Sequence, residues 1–67
     1  MAPIKRMAKR LKKLRGAKGW TQEKLAENSG VSRVHVARLE TAKMEPTLGV
    51  LEKLAKALKV KVGDLVD

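Results

Sequence analysis

Between Gln22 and Glu40 the chain carries two short helical patterns separated only by Gly30-Val31-Ser32. Few folds accept so tight a joint. Two helices that meet at a steep angle need small residues where their backbones approach, and a joint residue that tolerates positive φ. Ala26 and Gly30 meet those needs, and Val36 closes the corner from the second of the two helices. Thr21 caps the first, from about Gln22 to Ser29, and Ser32 caps the next, from about Arg33 to Thr41.

The rest of the chain is read around this pair. Ile4, Met7, Leu11 and Leu14 step by three and four, which predicts a helix ahead of the joint. Pro3 suits its first turn, and Gly16 and Gly19 weaken its end. Trp20 comes next as an apolar anchor expected in the core between the first two helices. Ala42 to Glu45 is a loop. Thr47 then caps a fourth helix, about Leu48 to Leu58, whose core stripe is Leu51, Leu54, Ala55 and Leu58. A short turn or helix around Val62 to Val66 closes the core with Val60, Val62 and Leu65. No segment alternates as a strand would. The expectation is an all-α bundle of five short helices forming one domain over residues 1–67.

Charge is unevenly placed on this frame. The chain has 67 residues and a formal net charge of +9, and the first twenty residues hold eight bases and no acid. Such an excess attracts polyanions, and it also suits a solvated lysine surface. Residues Lys5 to Lys13 are compatible with a solubility face, a phosphate-contacting face or an amphipathic helix at a membrane surface. Trp20 is the sole aromatic residue, which argues against a stacking platform for single strands. No apolar run approaches the roughly 20 residues of a membrane span. The absence of cysteine excludes disulfides and thiolate metal sites, and with no signal peptide it suits the cytoplasm. One histidine, no Gly-rich phosphate loop and no clustered carboxylate pair leave no expectation of an enzyme, a metal or a cofactor.

The joint pair has the order of a helix-turn-helix, which offers its second helix to the major groove of double-stranded DNA. With Gln22 included, the spacing Gln-x3-Ala-x3-Gly-Val-Ser-x3-Val-x3-Glu closely resembles the Cro/cI-type phage repressor family. Leu14-Arg15 and Gly19 upstream, and Leu51 to Leu58 downstream, extend the resemblance from about Leu11 to Leu65. It implies a lambda-repressor-like fold and a transcriptional regulator, most simply a repressor that occludes a promoter.

Residue by residue, the resemblance implies that Thr21 and Gln22 set a helix N-terminus on a phosphate. Ser32, Arg33, Val34 and Arg38 face base edges, Arg through guanine and Val34 through a thymine methyl. His35 touches phosphate, or a base through water, and Thr41 and Lys43 reach the backbone again. Arg15 pairs with Glu40 and orients the recognition helix from behind.

Two departures stand out. Ala42 and Lys59 occupy places where the family has glycine, so a left-handed cap there costs roughly 1 kcal/mol, or the helix ends differently. Lys61 replaces the small polar cap of the fifth helix. Regular use of Leu, Lys, Ala and Glu leaves both a natural and a redesigned origin open. Other function classes are an antitoxin-like protein-interaction adaptor, which needs a large exposed apolar patch, and a sequence-blind nucleic-acid binder. The chain is expected to be a monomer in solution, with pairing as a homodimer on DNA allowed.

Overall fold

Three side-chain caps of one design start the middle helices of the computed structural model, which describes residues 4–66. Thr21, Ser32 and Thr47 each hold an extended backbone, and each accepts the N–H three residues on, at 3.0, 3.1 and 3.1 Å. Each such cap satisfies one of the donors a helix start leaves unpaired, and is worth about 1 kcal/mol. The elements are α1 (Ile4–Ala17), α2 (Gln22–Ser29), α3 (Arg33–Glu40), α4 (Leu48–Leu58) and α5 (Gly63–Val66). The expected place of Pro3 in the first turn lies outside the described residues.

The helix ends share a device as well. Behind α1, Trp20 N–H reaches Arg15 C=O at 3.2 Å and Gly19 N–H reaches Gly16 C=O at 2.9 Å, with Gly19 at φ 69°. Gly30, at φ 77°, closes α2 with a single bond to Ala26 C=O at 2.9 Å. Behind α3 and α4 the same left-handed cap forms without glycine. Ala42 sits at φ 57° and Lys59 at φ 58°. Of the two outcomes open from sequence, the strained cap is the one adopted. The residue after each cap supplies the reason: Lys43 N–H bonds Arg38 C=O at 2.8 Å, and Val60 N–H bonds Ala55 C=O at 2.9 Å. Each bond satisfies a carbonyl that another ending would expose, and carries the chain into its next segment.

Two boundaries differ from expectation by a residue. α3 ends at Glu40 rather than Thr41, because Thr41 leaves the helical region (φ −103°, ψ 9°) while its hydroxyl donates back to Ala37 C=O at 3.0 Å. α5 begins at Gly63. Its missing small polar cap is offset from the other side, since the Asp64 carboxylate accepts Lys61 N–H at 2.8 Å, half of a capping box.

One core serves all five helices. Met7, Ala8 and Leu11 of α1 meet Leu25 of α2, Val31 of the joint, and Val36 and Leu39 of α3. Leu51, Leu54, Ala55 and Leu58 of α4 and Leu65 of α5 complete it. α1 packs on α3 and α5, while α2 packs on α3 and α4. Ile4, Leu14, Ala26, Val60 and Val62 line its edge, half-buried. Trp20 belongs with these edge residues rather than at the centre. It packs half-buried against the core, and the Lys18 ammonium lies 5.3 Å from the ring centroid. At that distance a cation is attracted to the ring face.

Candidate nucleic-acid interface

The joint between α2 and α3 is rigid for local reasons. Gly30 takes the left-handed turn, Val31 is buried, and Val31 N–H bonds the Ser29 hydroxyl at 3.2 Å. Ser32 then starts α3 at once. With Val36, Leu39 and Glu40 turned inward, helical geometry leaves Arg33, Val34 and Arg38 on the outside. All three are exposed, and Val34 is 57% accessible, unusual for an aliphatic side chain. No acid stands among them.

Behind α3 lies a hydrogen-bonded anchor. The Arg15 guanidinium straddles the Glu40 carboxylate, Nε to Oε2 at 2.6 Å and Nη2 to Oε1 at 3.0 Å. Its remaining arm, Nη1, donates to Trp20 C=O at 2.6 Å. The Gln22 side-chain amide donates to Glu40 Oε1 at 3.1 Å. Side-chain exposure is 2% for Glu40 and 16% for Arg15, so the pair is largely withdrawn from water. One carboxylate therefore ties together the end of α1, the start of α2 and the end of α3. The hydrogen bonds to Glu40 push the Arg15 pKa above its ordinary value; burial opposes this, and the Glu40 charge adds a smaller push upward. A raised base adds stability that is fully present below its unfolded pKa and lost only as pH rises through the folded one. For a guanidinium both values lie in strong alkali, so this contribution does not vary across ordinary pH.

The fold gathers the sequence-based candidates in and around α3. Arg33, Val34 and Arg38 share its outer face, and Ser32 and the exposed His35 stand at its first turn. Thr21 and Gln22 open α2, and exposed Thr41 and Lys43 lie just beyond the end of α3. Gln22 is the one candidate whose side chain is already engaged. Its amide nitrogen already donates to Glu40, which leaves its second amide N–H and its backbone N–H to offer an anion. Nothing in the sequence pattern signals that bond, which joins residues 18 positions apart. The acceptor role of Trp20 C=O was equally invisible. Among the described residues there is no cluster of His, Cys, Asp or Glu able to hold a metal ion. No helix of the described chain is long and apolar enough to cross a membrane.

Residues 11–65 match the helix-turn-helix family. The chain belongs to that family, in its Cro/cI-type branch. It is 39% identical over 59 residues to the HTH-type transcriptional regulator YgzD of Bacillus subtilis, covering 88% of this chain and 89% of that protein. It is 35% identical over 60 residues to the immunity repressor protein of Bacillus phage phi105, covering 90% of this chain and 42% of the repressor. The structure superposes on the restriction-modification controller protein C.AhdI from Aeromonas hydrophila with a TM-score of 0.89. That match has 37% identity and spans 92% of this chain and 94% of the controller. Fold and family agree: the protein is a DNA-binding, helix-turn-helix regulator.

Proposed function

We propose that the protein is a sequence-specific transcriptional repressor that lays α3 in the major groove of double-stranded DNA. The observation that carries this is the outer face of α3, where two arginines flank an exposed valine on a helix fixed from behind. Arg33 and Arg38 supply forked donors suited to O6 and N7 of guanine, and Val34 supplies an apolar contact for a thymine methyl. Ser32, at the cap of α3, joins them.

Phosphates hold the helix in register. At the start of α2, Thr21 and the backbone N–H of Gln22 meet one, helped by the helix dipole. His35, Thr41 and Lys43 meet the others. These contacts supply affinity and orientation, and the base edges supply choice. Relatives named as regulators and as an immunity repressor support the regulatory role. Repression follows most simply from occupying a promoter, in the cytoplasm where bacterial and phage promoters are read. The chain acts as one DNA-binding unit, monomeric in solution and able to pair on adjacent half-sites. An adaptor role finds less support: Val34 and Leu48, 57% and 66% accessible, are the large hydrophobic side chains exposed among the described residues. Two side chains on different helices fall far short of a patch of several hundred Å².

Substitutions of unlike contacts test the assignment. Arg38→Ala is expected to relax base preference at one or two positions, with a loss of about 1–3 kcal/mol of discrimination. Lys43→Ala is expected to weaken every duplex alike and to reduce the slope of log K against log salt by about 1. Equal weakening of all sequences by both changes would remove α3 from the groove.

A further inference from the structure

The outward face of α1 is the most concentrated charge on the molecule, and the α3 interface leaves it unused. Lys5, Arg6, Lys9, Lys12 and Lys13 are exposed along it, with no acid anywhere on the helix. None of the five forms an ion pair with a described residue; Arg15–Glu40 is the sole such pair there. Arg10 differs, since it is half-buried and its Nη1 donates to Asp64 C=O at 3.2 Å. Lys5 to Lys13 span about 12 Å of helix axis at about 1.5 Å per residue. A duplex carries a phosphate about every 1.7 Å of its own axis, so this rigid row faces several at once.

Position determines what the face can do. α1 and α3 pack directly on one another, burying Met7, Ala8 and Leu11 on one helix and Val36, Leu39 and Glu40 on the other. Each helix turns its exposed face away from that shared contact, in a molecule measuring 28 × 21 × 20 Å. An anionic membrane fits the face less well, because the apolar side of α1 that would insert into lipid is spent on the core.

We infer that the outward face of α1 binds the phosphate backbone of a second DNA duplex, without regard to sequence, so that one molecule bridges two duplexes. The inference rests on the α3 interface for the first duplex only. A mixture of donor-labelled and acceptor-labelled short duplexes tests it with the full chain. The wild type is expected to produce energy transfer between duplexes that fades steeply with added salt. The triple change Lys5→Gln, Lys9→Gln, Lys13→Gln, all at exposed positions, is expected to cut that transfer at least tenfold. Single-duplex affinity, sequence preference and helicity by circular dichroism are expected to stay at wild-type levels.

Transfer that survives the triple change would overturn the inference, since bridging would then come from paired molecules. Loss of single-duplex binding in step with transfer would also overturn it, placing α1 on the same duplex as α3. So would displacement of the second duplex by phosphatidylserine vesicles at lower anion concentration than by competitor duplex. Arg33→Ala with Arg38→Ala separates the two interfaces: loss of sequence preference is expected, with salt-sensitive capture of a duplex by α1 retained. A variant of that kind that kept its sequence preference would condemn the α3 assignment and leave α1 standing; one that lost capture altogether would overturn the bridge.

Discussion

Glu40 shows how much one side chain carries in a domain this small. It accepts from Arg15 and from Gln22, and through Arg15 it also fixes the Trp20 carbonyl. Removing it leaves a guanidinium largely out of water with no anion. Glu40→Ala is expected to cost about 3 kcal/mol, the low end for a broken buried pair because Arg15 keeps an open edge to solvent. A core of this size yields about 3–5 kcal/mol of net stability, so denaturant titration of that variant should find a marginal fold. Arg15→Met with Glu40→Leu is expected to be more stable than Glu40→Ala, because no charge is then stranded. A double variant less stable than Glu40→Ala would mean that the pair contributes net stability itself. The pairing of Arg15 with Glu40 was legible only through family resemblance, since no local pattern brings those positions together. The Gln22 bond was not legible at all. Side-chain hydrogen bonds between helices depend on how the helices cross, and sequence spacing reports faces rather than crossings.

At the scale of elements, the sequence was far more readable. Apolar steps of three and four, three Ser or Thr caps and two glycines locate all five helices and bound α2 to α5 to within a residue, because each signal acts within its own turn. Ala42 and Lys59 mark where local signals ran out. Their left-handed backbones are imposed by the segments after them, against their own preference. Nothing stands within 4 Å of an added Cβ at Gly19 or Gly30, so left-handed backbone strain rather than crowding is what glycine avoids at such caps. Ala42→Gly and Lys59→Gly are therefore expected to raise stability, each by up to about 1 kcal/mol. Relief of strain outweighs the added freedom of the unfolded chain. Urea titration reads the effect as a higher midpoint at unchanged slope. A lower midpoint for either variant would mean that its left-handed residue is not strained. Trp20 is the other instructive residue here. Its placement in the core followed from the family resemblance, and at the connection between α1 and α2 it packs against the core only half-buried.

For the whole molecule, charge and fold divide the work. The net charge of +9 attracts any polyanion, and sequence choice needs the few groups that α3 turns outward. On the proposed arrangement, the α3 interface would give selectivity at physiological salt and the α1 face salt-sensitive capture. Among the described residues Val34 and Leu48 are the large hydrophobic side chains left exposed to hold two copies together, so sedimentation of the free protein is expected to give the monomer mass. The most direct test is selection of bound duplexes from a randomised DNA library at roughly physiological salt, where non-specific contacts are weakened. Enrichment of a short motif containing guanine is expected, and a repeated half-site would show that copies pair on DNA. Recovery of unenriched sequences, with binding that simply fades as salt rises, would contradict major-groove reading by Arg33 and Arg38.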